Sequence, residues 1–140
     1  GYLDALLAHG LPTDEELIIY SDMTLADGLR AAHQLLALPN PPDGIFGAGD
    51  YAVLGALQTA KLQRIMVPQQ LALAGFSNEG FTSITEPQLT TVDQRCAEMG
   101  TAAVRLFLEL AAVPAQHCQQ RQVLLQPELC IRGSSLRLIE

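Results

Sequence analysis

Three short apolar runs, each closed by glycine or polar residues and separated by helix-length segments, constrain this chain more than anything else in it. They lie between Asp43 and Gln94: Ile45-Phe46, residues 71–76 and residues 89–92. Runs of that length, joined by a helical pattern over residues 51–62, read as parallel strands with crossover helices. In an open sheet of this kind, small molecules bind at the turns after the carboxyl ends of the strands. The stretch from Asp43 to Gln94 is therefore expected to form one wall of a ligand cleft.

The remainder of the chain fits the same rhythm. Leu3, Leu6 and Leu7 stand at helical spacing, and His9-Gly10-Leu11-Pro12 is a stop signal, so the opening residues read as the last turns of a helix. Leu17-Ile18-Ile19-Tyr20 has the length and β-branching of a buried strand. Thr24, with Asp27 three residues on, resembles an N-cap for a helix over residues 25–38. Pro39-Asn40-Pro41-Pro42 breaks that helix. Residues 77–85 read as a turn with at most one helical turn, and residues 94–110 as a long amphipathic helix. Residues 111–122 read as a surface loop, followed by two strand-like runs at 123–125 and 129–131. The fold class is α/β, with parallel-sheet βαβ layers.

Composition narrows the function. With 140 residues, 49% hydrophobic and 16% charged, the chain can bury a core and is not of the disordered class. It carries a net charge of −7, and its eight Lys and Arg residues are scattered, so it lacks the concentrated positive surface that displaces phosphate counterions. Cys96, Cys118 and Cys130 are odd in number and outside any CxxC arrangement, which points to neither a disulfide framework nor a zinc site. No apolar run is long enough for a membrane span, and the chain opens with neither Met nor a signal-like segment. It reads as a cytoplasmic piece of a longer protein, with no membrane partner.

Each chemical motif has a plainer alternative. Gly47-Ala48-Gly49-Asp50-Tyr51-Ala52 fits the GxGxxA form of a dinucleotide fingerprint, but the next strand ends in Gly75-Phe76-Ser77 and offers no acid to a ribose. A nicotinamide-dependent enzyme is thereby disfavoured. Ser77 is not in a GxSxG elbow, since Glu79 takes the second glycine position, and His9, His33 and His117 are not placed as bases. Asp50 reads either as an N-cap or as an acceptor for ligand hydroxyls. Asp14, Glu15 and Glu16 read as a solvated loop. No catalytic residue, cofactor or metal site is assigned.

At this point a family resemblance appears. Pro42-Asp43-Gly44-Ile45-Phe46, Gly49-Asp50, Leu54-Gly55-Ala56-Leu57, Val67-Pro68, Leu73-Ala74-Gly75-Phe76, Pro87-Gln88-Leu89-Thr90-Thr91-Val92-Asp93-Gln94, Met99-Gly100 and Pro127-Glu128-Leu129-Cys130-Ile131-Arg132-Gly133-Ser134-Ser135 together resemble the C-terminal half of LacI/GalR regulators. The resemblance covers nearly the whole chain. It implies a periplasmic-binding-protein-like (type I) effector domain of two lobes, which closes on a small molecule and dimerises. Operator DNA would be read by an N-terminal helix-turn-helix that is not in this chain. Residues 1–90 would belong to the C-terminal lobe, 91–127 to the crossover and a helix of the N-terminal lobe, and 128–140 to the return. A solute-binding protein of the same fold is the alternative.

The resemblance also carries expected site residues. Effector contacts map to Met23, Gly49 and Ser77, where the family often has an aromatic, an asparagine and an aspartate; Asp50 and Asn78 add polar capacity. Ser77 offers one hydroxyl where an aspartate accepts two hydrogen bonds, and Gly49 offers no side chain, so tight sugar binding is not expected. The dimer interface maps to Leu54, Leu57 and Gln58, with Phe81 and Ile84. Ordinary core is the competing role for that helix, whereas Phe81 sits in a polar turn with little local core to enter.

Overall fold

The computed structural model describes residues 1–112 and 121–137. Helix α1 (Tyr2–Ala8) is followed by a 3₁₀ turn (Glu15–Leu17) and helix α2 (Leu25–Leu36). Strand β1 (Gly44–Phe46), helix α3 (Asp50–Leu62) and strand β2 (Ala72–Phe76) form a βαβ unit. A second 3₁₀ turn (Gly80–Ser83) leads to strand β3 (Thr90–Asp93), helix α4 (Cys96–Ala111) and strand β4 (Glu128–Cys130). The sheet order is β1-β2-β3-β4. The first three strands are parallel, with Ile45 opposite Leu73 and Gly75 opposite Thr91, and β4 runs antiparallel with Leu129 opposite Val92.

The helices start where side chains satisfy free backbone N–H groups. The Thr24 hydroxyl accepts from the Asp27 N–H at 3.1 Å and donates to the Asp27 carboxylate at 2.9 Å, so α2 begins on the expected cap. The Asp14 carboxylate accepts from the Glu16 N–H at 2.9 Å and caps the first 3₁₀ turn, so Glu15 and Glu16 are helical rather than looped.

The core lies between this helix pair and the sheet. Ala32 of α2 and Val53, Ala56, Leu57 and Ala60 of α3 pack with Leu71, Leu73 and Leu89. Truncating any of the three leucines to alanine would cost about 2–5 kcal/mol. Two glycines set how closely the helices approach. A Cβ on Gly55 would lie 2.5 Å from the Leu25 carbonyl oxygen and 2.6 Å from the Leu29 nitrogen, and one on Gly28 would overlap the Ala52 backbone. Beside them the Thr59 hydroxyl contacts the carbonyls of both Gly55, at 3.1 Å, and Leu29, at 3.3 Å.

The return segment is fixed by Ser134, which is fully buried. Its hydroxyl donates to the Leu73 carbonyl at 2.6 Å and accepts from the Thr90 N–H at 2.8 Å. Its own carbonyl accepts from the Leu73 N–H at 2.8 Å, so β2 and β3 are joined through it.

Two expected strands are not strands here. Ile18 has extended backbone, but residues 18–20 pair with no neighbour among the described residues: this run and β1 both line an apolar groove of about 590 Å³, together with α2 and α3. A β-branched run shows extended preference, yet a strand also needs a partner edge within hydrogen-bonding distance. Residues 123–125 likewise join no ladder, and Leu124 is exposed. The expected run at 129–131 shifts by one residue, to Glu128–Cys130. Most of the expected loop at 111–122 lies outside the described residues.

Candidate functional site

The carboxyl ends of β1, β2 and β3 bring together residues 47–50, 77–79 and 93–95, and these turns carry the polar groups at this end of the sheet. The first turn follows from small residues. The Gly47 N–H continues the sheet to the Ala74 carbonyl at 2.9 Å, and the space beside Gly47 is taken by Val53. Gly49 is the extended N-cap of α3, with Met23 seated against it: a Cβ there would lie 3.3 Å from the Met23 Cβ and 3.4 Å from its sulfur. Both glycines of the GxGxxA match thus face the protein's own side chains, as a packed turn does.

Asp50 is the first residue of α3 rather than its cap, and it is 1% exposed. Its carboxylate accepts from the Thr91 hydroxyl at 2.7 Å and from the Glu79 N–H at 2.9 Å. Both oxygens are therefore held by protein donors. The carboxylate ties α3 to β3 and to the turn after β2, instead of presenting itself to a ligand.

The turn after β2 has unusual backbone. Ser77 has φ 127° and Asn78 φ 56°, conformations that cost about 1–3 kcal/mol each for non-glycine residues unless the surroundings fix them. The surroundings do. The Ser77 N–H reaches the Val92 carbonyl at 3.0 Å, and the Asn78 N–H reaches the Thr91 hydroxyl at 3.2 Å. The Ser77 hydroxyl oxygen accepts from the Gln94 side-chain amide at 3.0 Å, and among the described residues the serine proton and the Gln94 carbonyl meet no partner, a neighbouring donor and acceptor.

Asn78 faces inward. Its amide nitrogen donates to Asp93 at 3.1 Å, and its oxygen accepts from the Arg132 guanidinium at 2.8 Å. Asp93 also accepts from the Arg95 N–H at 2.7 Å. The Arg95 backbone and then the Asn78 amide hold the Asp93 carboxyl below the ordinary aspartate range, because both stabilise the charged form. Arg95 has φ 60° and pairs with Glu98 and with Glu128 at 3.1 Å, fastening the exit of β3 to the start of β4. Its guanidinium is raised above its ordinary value, chiefly by the Glu98 hydrogen bond.

Of the expected effector residues, Met23 and Gly49 touch after β1 and Ser77 follows the neighbouring strand β2, while Asp50 and Asn78 are engaged in tying these turns to β3 and the return segment. Thr91, Asp93, Gln94 and Arg132 also build this site, and residue-by-residue reading did not single them out. The signal for the first three was their position at the carboxyl end of a parallel strand. Arg132 falls in the family-like run 127–135, but its contacts with Thr90 and Asn78 lie 42 to 54 residues away.

The residues expected at a dimer interface divide. Leu57 is buried in the core. Leu54 is half-buried, Gln58 exposed and Ile84 82% exposed. Phe81 packs its ring on Tyr51, with centroids 5.0 Å apart and planes at 59°. That contact links α3 to the second 3₁₀ turn, and Phe81 also packs against the core cluster, contrary to the expectation that its turn leaves it little core to enter.

With this geometry in hand, the chain can be set beside known proteins. The periplasmic binding protein-like domain model matches residues 1–135. The HTH-type transcriptional repressor CytR of Escherichia coli strain K12 is 39% identical over 99% of this chain and 40% of its own length. A transcriptional regulator CelR–cellobiose complex superposes with a TM-score of 0.87, at 30% identity over 96% of this chain and 40% of that one. A LacI family regulator from Lactobacillus casei with bound sucrose gives a TM-score of 0.83, at 29% identity over 96% of this chain and 49% of that one. The chain spans about two fifths of the length of the curated relatives it matches. It belongs to the periplasmic binding protein-like domain family, in the branch formed by transcriptional regulators of the LacI type.

Proposed function

We propose that this chain is part of the effector-sensing region of a LacI/GalR-type transcriptional regulator, cytoplasmic and without enzymatic activity. The observation that supports the reading is the contact of Met23 with Gly49 after β1 and the place of Ser77 after the adjacent β2, with Asp50 tying the two turns together; in this reading they border the effector mouth. An effector seated there touches Ser77, beside the point where the chain leaves β3 for α4. Residues 1–90 and 128–140 then form the C-terminal lobe, and 91–127 cross to the N-terminal lobe. The character of α4 supports that division. It has no buried residue, and Met99, Val104, Phe107 and Leu108 are exposed, as expected of a helix whose packing partners lie in the other lobe.

Regulation then follows by population shift. An effector that binds one relative orientation of the lobes better than the other favours that orientation, and a homodimer passes it to the DNA-binding heads. The dimer surface in this reading is the patch formed by Leu54, Gln58, Phe81 and Ile84 with Tyr51. The test is a metabolite screen by thermal melting on the full-length protein, followed by operator binding with and without each hit. A ligand at 100 times its Kd stabilises the native state by about 2.7 kcal/mol. In a domain of this class that is a rise of roughly 5–10 °C in melting temperature. Hits that leave operator affinity unchanged would overturn the reading.

A further inference from the structure

We infer that Arg132 is the positioning residue for the Ser77-Asn78 turn and acts through the Asn78 side chain. The inference rests on the reading of that turn as part of the effector mouth. Arg132 forms no ion pair among the described residues. Its guanidinium instead serves three neutral acceptors: the Asn78 side-chain oxygen at 2.8 Å, the Thr82 hydroxyl at 2.9 Å and the Leu89 carbonyl at 2.9 Å. A planar fork with fixed N–H directions holds several acceptors in one geometry, which a lysine ammonium does not do.

The base of the side chain is equally fixed. The Arg132 N–H donates to the Thr90 hydroxyl oxygen at 2.8 Å, and that hydroxyl approaches the Arg132 carbonyl at 3.0 Å. At the far end the Asn78 amide is pinned on both sides, by Arg132 at its oxygen and by Asp93 at its nitrogen. Asn78 cannot rotate without breaking one of these bonds. The adjacent Ser77, at φ 127°, is the residue whose backbone most needs such support. Arg132 thus fixes the direction of the Ser77 hydroxyl from the return segment after β4, without lining the mouth itself.

Hydrogen–deuterium exchange of the full-length, effector-free protein tests this directly. The Ser77, Asn78 and Glu79 amides are all hydrogen-bonded within the turn's framework, so their protection reports its integrity. Arg132→Met should raise their exchange at least ten-fold over any change at Leu73 and Val53, and Arg132→Lys by less. Asn78→Gly tolerates the left-handed backbone and removes the link, so adding Arg132→Met to it should change these three amides less than two-fold. If Arg132→Met does not fold, Arg132→Lys with and without Asn78→Gly gives the same cycle. Unchanged turn protection, a uniform loss across the core, or fold-changes that multiply in the double variant would overturn the inference. No effector enters the measurement; a screen that finds no ligand refutes the effector reading and leaves this result standing.

Discussion

Gly75 has no side chain because the Asp50 carboxylate occupies the space where its Cβ would be: a methyl group there would overlap Asp50 Oδ1 and lie 3.3 Å from the Asp50 carboxyl carbon and from Val53. Gly75→Ala should therefore destabilise by about 1–3 kcal/mol through overpacking alone. Asp50→Ala leaves the Thr91 hydroxyl and the Glu79 N–H without their acceptor, at about 1–3 kcal/mol for each buried group. The double variant should cost less than the sum, since removing the carboxylate makes room for the new methyl. Urea unfolding of the four proteins measures the coupling, and strict additivity would show that the two residues do not share this space.

The contact between α2 and α3 makes a second prediction. Glycine inside a helix costs about 0.5–1 kcal/mol relative to alanine, so Gly→Ala at an exposed helical site usually stabilises. At Gly28 and Gly55 the sign should reverse, because the added Cβ meets backbone atoms of the facing helix, which cannot move aside as a flexible side chain can. Each substitution should lower the melting temperature by several degrees, while Gly100→Ala on α4, where a Cβ has open space, should not. Equal effects at all three positions would contradict the packing described.

How far the fold was legible in the sequence depended on whether an element's neighbours were local. β1, α3, β2 and β3 appeared where periodicity and breakers placed them, and the Thr24 cap was readable from two residues. The run at residues 17–20 was misread because its extended preference is local, whereas a ladder requires an edge elsewhere. Asp50 was ambiguous for the same reason: an acid beside a helix start looks like a cap, and only the fold shows Thr91 and Glu79 as its donors. Arg132 stood in a family-like run, but its bond to Asn78 was not readable, since the two lie 54 residues apart.

The dimer proposal predicts a change of assembly without a change of fold. Ile84 is 82% exposed, whereas Phe81 packs against the core as well as on Tyr51, so Phe81→Asp should destabilise the fold and Ile84→Asp should not. Aromatic pairs of this geometry are worth about 0.5–1.5 kcal/mol. In the full-length protein, Gln58→Asp with Ile84→Asp should move the sedimentation coefficient to that of a monomer while the far-ultraviolet dichroism stays native. An unchanged dimer would remove this surface from the model of regulation.

Asp93 predicts a pH dependence with a definite sign. Its folded-state titration is depressed by the Arg95 N–H first and the Asn78 amide second. The stability it contributes is therefore fully present above the ordinary aspartate value and is lost as pH falls through the depressed folded one. Asn78→Gly should move the Asp93 midpoint upward, toward the ordinary value, in a carboxyl-resolved NMR titration. A midpoint unaffected by that substitution would mean that the Asn78 contact does not select the charged carboxylate.

The final prediction concerns what the mouth can recognise. The CelR structure is a cellobiose complex and the Lactobacillus casei regulator holds sucrose, sugars whose vicinal hydroxyls suit an acceptor with two oxygens. Here the two carboxylates that face into the turns are already engaged, Asp50 by Thr91 and Glu79, Asp93 by Asn78 and Arg95, while those of Asp22 and Glu79 belong to exposed residues. Between the strand ends stand the Ser77 hydroxyl beside the Gln94 side-chain amide, the Met23 thioether and backbone at Gly49. Calorimetric titration of the full-length protein with cellobiose, sucrose and glucose should therefore show no binding in the micromolar range. Ser77→Asp restores a two-oxygen acceptor at the position facing Gln94, and if it creates measurable sugar affinity, the missing carboxylate accounts for the difference. Micromolar sugar binding by the unaltered protein would show that the opposite lobe supplies what this wall lacks.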